Sequence, residues 1–143
     1  MVKAYYGKYV RSLDGKGRLL LPSNLGIGAG ETLYLLRGLD HCIAVYDEAH
    51  FAAQQEKWME LSYSDKDTRA YLRIALPSVV IASVDNQNRI LLSKSLQEEY
   101  GIDGRSATII GMLDHLEIWS TSALEEYQGN NASSYEELAG KSR

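Results

Sequence analysis

The chain carries the same short turn signature twice, and this repetition limits its possible folds more than any other feature. The stretch LDGKGRLLLP begins at Leu13, and its variant VDNQNRILLS begins 71 residues later, at Val84. A second pair, LDHCIAVY at Leu39 and LDHLEIWS at Leu113, follows in the same order at an offset of 74 residues. Two matched blocks in one order predict a duplicated structural unit, which would dictate the architecture of the whole chain.

Each copy has the pattern of short β-strands separated by tight turns. In the first copy, a β-rich segment ends at Asp14–Gly17, where two glycines are expected to supply the positive φ angles of a reversal. The predicted strands of both copies are Tyr6–Leu13, Arg18–Leu21, Glu31–Arg37, Cys42–Tyr46, Val79–Val84, Arg89–Leu92, Ala107–Gly111 and Leu116–Trp119. We therefore predict that each unit is a pair of hairpins. Its unpaired strand edges favour interleaving with the other unit.

Helix signals follow the predicted hairpins. Asp47 is a candidate N-cap for a helix that runs to about Leu61. Further capping signals begin at three serines, Ser64, Ser95 and Ser122. The polar segment from Gly129 to Ser134 is expected to be flexible, with a last helical turn possible after it.

The charges are distributed unevenly along the chain. The formal net charge is −4, but residues 1–18 carry five cations and one acid, whereas residues 98–143 carry nine acids and three cations. Affinity for phosphate follows local basic patches and not the total charge. The basic start of the chain is therefore compatible with nucleic-acid binding.

Several classes of protein are disfavoured. No apolar run approaches the roughly 20 residues of a membrane span, and the first residues lack the apolar core of a secretory signal. The single cysteine, Cys42, excludes an intrachain disulfide. The three histidines do not form a metal-ligand pattern, and no nucleophile elbow or P-loop is present. We expect a soluble, cytoplasmic protein without a metal, a cofactor, a small-molecule substrate or enzymatic activity.

These turns, together with RGLD, LDH and the YD and WS starts of the helices, resemble the MraZ family of bacterial regulators. The resemblance covers essentially the whole chain. It implies an α+β fold of two tandem swapped-hairpin (AbrB-like) β-barrel halves related by pseudo-two-fold symmetry, with short helices after each half. The units are expected at residues 5–50 and 78–122, with a helical connection at 51–77 and a C-terminal helix and flexible tail at 123–143.

The resemblance also implies a function. Family members are repressors whose gene heads the cell division and cell wall cluster. They form ring-shaped homo-oligomers, which bind direct repeats in double-stranded promoter DNA. The expected location is therefore the cytoplasm, in association with the nucleoid. An antitoxin-like protein-interaction module on the same fold is the alternative, and an enzyme on a related barrel is a more distant one.

The family pattern assigns DNA binding to Arg18 of the D-x-K-x-R turn, with support from Lys16. Tyr6 stands where some relatives have a basic residue, and Lys8 and Arg11 are expected to compensate. Arg89 is expected to be mainly architectural, with DNA contact as the alternative. The residues expected to shape the turns are Asp14, Gly15, Gly17, Asp85 and Asn88. Asn88 replaces a glycine, but asparagine tolerates left-handed φ angles.

Overall fold

The chain forms two successive sets of four strands, each accompanied by helices. The computed structural model describes residues 3–142, so Arg143 of the expected tail lies outside the described residues. The strands are β1 (Lys8–Arg11), β2 (Arg18–Leu20), β3 (Thr32–Arg37), β4 (Ile43–Asp47), β5 (Val80–Ser83), β6 (Arg89–Leu91), β7 (Ala107–Gly111) and β8 (Leu116–Ser120). The helices are α1 (Glu48–Glu60), α2 (Lys66–Ala75), α3 (Lys94–Glu99), α4 (Thr121–Asn131) and α5 (Tyr135–Lys141).

The two halves exchange strands to build one six-stranded antiparallel sheet. Its strand order is β1-β7-β8-β4-β3-β5. Strand β1 pairs with β7 of the second half, with Lys8 opposite Ile110 and Arg11 opposite Ala107. In return, β5 pairs with β3 of the first half. Each half therefore places its first strand on the hairpin of the other half, and the predicted α+β swapped-hairpin fold is confirmed.

The strand pairing predicted at each repeated turn is wrong, although the turns lie where they were expected. The sequence predicted that the segment before Asp14 pairs with Arg18–Leu21. Among the described residues, these segments meet only through the turn and an isolated bridge between Leu13 and Leu19. Strand β2 pairs instead with β6. The segment before Asp14 instead adds β1 to the six-stranded sheet, which is more stable than the edge of an isolated two-stranded hairpin.

Both halves contribute to one central hydrophobic core. At its centre Leu19 lies opposite Ile90, and both side chains are 0% exposed. Other fully buried members are Leu33, Leu35, Leu92, Ile109, Leu116 and Ile118. Burial of one such side chain stabilises the fold by roughly 1.5–3 kcal/mol relative to leaving it exposed. Since each half supplies partners for the other, their stabilities are interdependent.

Helices α1, α3 and α4 begin soon after the ends of strands, whereas α2 follows α1. Asp47 ends β4 and caps α1 as predicted, because its carboxylate accepts the backbone N–H of His50 at 2.8 Å. The other caps lie one or two residues from the predicted serines, at Asp65, Ser93 and Ser120. Where two candidate serines compete at α3 and α4, the one nearer the preceding strand is the cap, because its backbone is still extended there.

Residues 129–134, which the sequence analysis expected to be flexible, are helical. Helix α4 continues to Asn131, a 3-10 turn spans Ala132–Ser134, and α5 follows. Helix α4 is fixed at its start, where Leu124 packs against Trp119 and Cys42. The polar composition that suggested flexibility instead reflects the exposed surface of these helices.

Candidate nucleic-acid interface

The first repeated turn is shaped by the carboxylate of Asp14. Its Oδ1 accepts the backbone N–H groups of Lys16 and Arg18, both at 2.9 Å. Its Oδ2 accepts the side-chain Nε of Arg18 at 2.7 Å. The backbone hydrogen bond from Arg18 is the largest of the effects that lower the pKa of Asp14 to about 2. The carboxylate therefore stays ionised and holds the turn at neutral pH.

The second repeated turn has the same hydrogen-bond pattern. Oδ1 of Asp85 accepts the backbone N–H groups of Gln87 and Arg89 at 2.9 and 2.8 Å. Its Oδ2 accepts Nε of Arg89 at 2.9 Å. Burial opposes ionisation, but these hydrogen bonds lower the pKa of Asp85. The two turns are thus equivalent in their backbone and differ in the side chains that they present.

A left-handed residue closes each turn, but only one of the two glycines has this role in the first turn. Gly17 has a φ of 82° and its counterpart Asn88 a φ of 64°. Gly15 is not among the described residues with positive φ, contrary to the sequence prediction. A Cβ on Gly17 would lie 2.8 Å from the carbonyl oxygen of Leu92, whereas one on Gly15 would meet nothing within 4 Å. Only Gly17 is therefore required by geometry.

Each turn is also bonded to the end of a strand in the other half. The backbone N–H of Leu92 donates to the carbonyl of Gly17 at 2.9 Å, and Leu21 donates to Asn88 at the same distance. The side-chain amide of Asn88 returns a bond to the Leu21 carbonyl at 3.2 Å. The shape of each turn therefore depends on both halves of the chain.

The two turns lie next to each other, and one ion pair joins them. Nη1 of Arg89 donates to Oδ2 of Asp14 at 3.3 Å. The reciprocal bond, from Arg18 to Asp85, does not occur among residues 3–142. Arg89 is therefore shared between two carboxylates, and its side chain is 22% exposed.

The first turn exposes cations more than the second does. Lys16 is exposed, and its ammonium group forms no ion pair within the described part of the chain. The side chain of Arg18 is 33% exposed, and its Nε is held by Asp14. The ion pair with Asp14 holds the guanidinium of Arg18 against the turn. Its two Nη atoms make no hydrogen bond to residues 3–142.

Lys8 and Arg11 lie on β1, an edge strand that leads into the first turn. The ammonium group of Lys8 donates to Oε1 of Gln128 at 3.1 Å. Arg11 is half-buried, and its guanidinium carbon lies 5.9 Å from the centre of the Tyr9 ring. Tyr6 is 72% exposed. The structure therefore leaves Lys8 at the surface and holds Arg11 close to the sheet.

Two cations that the sequence analysis did not select lie beside the first turn. Lys94, at the start of α3, and Arg105, before β7, line a cleft of about 680 Å³ together with Lys16. Both come from the second half of the chain. The sequence pattern alone does not show that they lie beside Lys16, because strand exchange brings these segments together.

The histidines have local structural contacts. His50 is buried, and its Nδ1 lies 2.9 Å from Asp47, which also accepts the hydroxyl of Tyr5 at 2.5 Å. Nδ1 of His115 lies 2.6 Å from Asp114. Burial opposes protonation of His115, but hydrogen bonds to Glu117 and Asp114 raise its pKa. No group of three or more potential metal ligands occurs among the described residues.

Between residues 3 and 142, no helix combines the length and apolar character needed to cross a membrane.

Comparison with known proteins gives a family match over both halves. The family model described as "MraZ protein, putative antitoxin-like" matches residues 4–74 and 80–140. The transcriptional regulator MraZ of Acetivibrio thermocellus is 36% identical over 137 residues, which cover 96% of this chain and 95% of the relative. The protein of the same name from Pelotomaculum thermopropionicum is 36% identical over 137 residues, which cover 96% of this chain and 94% of the relative. The transcriptional regulator MraZ of Moorella thermoacetica is 33% identical over 137 residues, which cover 96% of this chain and 95% of the relative.

Proposed function

The chain belongs to the MraZ family, and on this premise we propose that it regulates transcription by sequence-specific binding to double-stranded promoter DNA. At the level of functional class it is a transcriptional regulator, as its relatives are named. The proposed mechanism involves no reaction chemistry and no cofactor. The protein would act on transcription only through its position and orientation on the DNA.

The observation that carries the proposal is the first turn, in which an exposed lysine stands beside an arginine of fixed orientation. Lys16 provides a compact charge for a phosphate group. The Nη atoms of Arg18 are unused within residues 3–142, while its Nε is anchored on Asp14. A planar guanidinium held in this way can pair with guanine O6 and N7 or with two phosphate oxygens. Lys8 and Arg11 are proposed as further backbone contacts along the same edge.

The second turn has an architectural role in this proposal. Arg89 contacts both Asp85 and Asp14, and its side chain is less exposed than that of Arg18. Gln87 replaces Lys16 at the tip, so the second turn carries no free cation there. We assign Arg89 to joining the two turns, and its contact with DNA remains the alternative.

Self-association supplies the affinity that one small turn lacks. Strands β1 and β5 form the two edges of the sheet. Apolar side chains are exposed on α1, α2 and β5, and examples are Met59, Ile74 and Ile81. These features support a homo-oligomer, for which the proposed form is a ring. Repeated turns on a ring would engage several promoter boxes at once and raise the apparent affinity without new contacts.

The proposed target is a set of direct repeats upstream of the cell division and cell wall operon, where bound protein hinders transcription. This function places the protein in the cytoplasm, in association with the nucleoid. The repeated units are proposed to be residues 5–50 and 78–122, joined by residues 51–77 and followed by residues 123–143. The family model matches residues 4–74 and 80–140, which supports the separation into two halves.

A protein-interaction module of the antitoxin type is the second candidate. It is favoured by an apolar groove of about 440 Å³ beside α1 and α2, which is lined mainly by Phe51, Trp58, Met59, Leu72, Leu76 and Val79. Light scattering on the protein alone separates the candidates. A homo-oligomer supports the regulator, whereas a monomer favours a separate partner for the groove.

Footprinting on the promoter of the protein's own operon tests the proposed function. The expected result is a series of protected boxes at regular spacing, with none on a shuffled duplex of equal length. Equal protection of both duplexes, or protection of neither, would contradict sequence-specific regulation.

A further inference from the structure

The cleft beside the first turn is lined by cations from three separate segments. Lys16 comes from the turn itself, Lys94 from the start of α3, and Arg105 from the loop before β7. All three are exposed. None of their side chains forms an ion pair or a hydrogen bond with another side chain between residues 3 and 142. Their charges are therefore available to an external partner.

Strand exchange holds these segments together. On one side of the turn, the backbone N–H of Leu92 donates to the carbonyl of Gly17 at 2.9 Å, two residues before Lys94. On the other side, Leu13 donates to the carbonyl of Gly104 at 3.2 Å, directly before Arg105. Backbone hydrogen bonds therefore fix both cations at the flanks of the first turn.

The acids in the cleft offset only part of these charges, because the negative charge of Asp103 is opposed by three cations. Asp14 is already paired with Arg18 and Arg89. Asp103 accepts the backbone N–H of Arg105 at 2.9 Å, which bends the loop but leaves the guanidinium free. The opening of the cleft is therefore positive, as a surface that receives phosphate groups requires.

The equivalent surface of the second turn is not basic. Ser23 occupies the position that corresponds to Lys94 under the repeat offset of the turns. The bond from Leu13 to Gly104 has its counterpart in the bond from Val84 to Glu31 at 2.9 Å. Thr32 therefore corresponds to Arg105, and the nearby Glu31 is paired with Lys3 at 3.8 Å. The cations are concentrated at the turn that presents Lys16.

From this arrangement we infer that Lys94 and Arg105 contact phosphate groups of the duplex whose groove receives the first turn. The DNA-binding surface is then a composite of both halves, although the family pattern places it on the first half alone. This inference rests on the proposed function. The occupant is double-stranded DNA, because three exposed cations around an open cleft attract the phosphate backbone of a duplex.

The test is a Lys94→Gln, Arg105→Gln double variant of the full chain, with Lys16→Gln as the reference and Lys57→Gln, Lys66→Gln as the charge-matched control. Lys57 and Lys66 are exposed on α1 and α2, away from the cleft lining. Binding is measured by fluorescence anisotropy over a series of KCl concentrations. The probes are a duplex from the protein's own promoter and a scrambled duplex of equal length.

The expected result is a smaller slope of log K against log salt, by about 1 for each phosphate contact removed from a bound protomer. The double variant should weaken binding to both duplexes by a similar factor, since phosphate contacts carry no sequence information. Its circular dichroism and oligomer size should match those of wild type. The control variant should retain the wild-type slope.

Three outcomes separate the possible failures. If Lys16→Gln lowers the slope but the double variant does not, the inference is overturned and the proposed function stands. A loss confined to the promoter duplex would show base readout and overturn the phosphate assignment. If wild type binds neither duplex, the proposed function fails, and the inference fails with it.

Discussion

Arg89 donates to Asp14 across the boundary between the two halves, at 3.3 Å, while also bonding to Asp85 within its own turn. This ion pair makes the carboxylate that shapes the first turn dependent on a residue 75 positions away in sequence. The second turn therefore supports the conformation of the first without presenting a free cation at its own tip.

A Lys16→Ala, Arg18→Ala variant is predicted to lose promoter binding while keeping its oligomeric size. The reason is that the exposed ammonium group of Lys16 and the Nη atoms of Arg18 are removed, whereas the hydrophobic core and the bonds from backbone N–H groups to Asp14 remain. A gel shift at several salt concentrations, combined with light scattering, measures both properties. The matched control is Lys57→Ala, Lys66→Ala on α1 and α2. Binding retained by the turn variant would contradict the assignment of these two residues.

Gly17→Ala is predicted to destabilise the fold by more than about 1 kcal/mol, because alanine does not tolerate positive φ and its Cβ would crowd the Leu92 carbonyl. Gly15→Ala is the control in the same turn. It should leave the free energy of unfolding within about 1 kcal/mol of wild type, or raise it slightly. Urea titration of both variants measures the difference. Equal destabilisation would show that the two glycines have similar roles.

Acid is predicted to weaken the first turn in a defined pH range. The pKa of Asp14 is about 2 in the folded chain, against an ordinary value of 3.8, so its stabilising effect is present above that ordinary value. This contribution is lost as pH falls from about 4 towards 2, since protonation removes the accepted hydrogen bonds. Melting temperatures recorded across this range should fall more steeply for wild type than for Asp14→Asn. Parallel curves would exclude Asp14 from the acid response.

Leu19→Ala is predicted to lower the free energy of unfolding by about 2–5 kcal/mol, because it leaves a cavity opposite Ile90 at the centre of the shared core. Both halves should still unfold together. Trp58→Phe leaves Trp119 as the only reporter, and Trp119→Phe leaves Trp58, so the fluorescence of each half can be followed alone. Their urea midpoints should shift equally when Leu19→Ala is added. Separate midpoints would show that the halves are energetically independent.

The sequence contained enough information for the fold class, because a duplicated turn with alternating strands and turns is a local pattern. It did not contain the strand partners, since the segment before Asp14 has the same appearance whether it pairs with β2 or with β7. For the same reason, Lys94 and Arg105 were not recognised beside Lys16.

The caps of α3 and α4 show a second limit of local reasoning. Ser95 and Ser122 have a glutamate three residues later, as a capping box requires, whereas Ser93 and Ser120 do not. The choice between them is made by the strand end, whose extended backbone is set by pairing with distant residues. A cap can therefore be misplaced by two positions even when the helix itself is predicted.

Joining the exchanged halves in one polypeptide removes a restriction that identical subunits would face. A dimer of two separate copies would present the same tip on both sides, so any change in one tip would appear in the other. Covalent fusion allows the tips to diverge, with Lys16 retained on one and Gln87 on the other. The two sides of the molecule therefore differ, and this asymmetry gives the molecule a defined direction relative to whatever it binds.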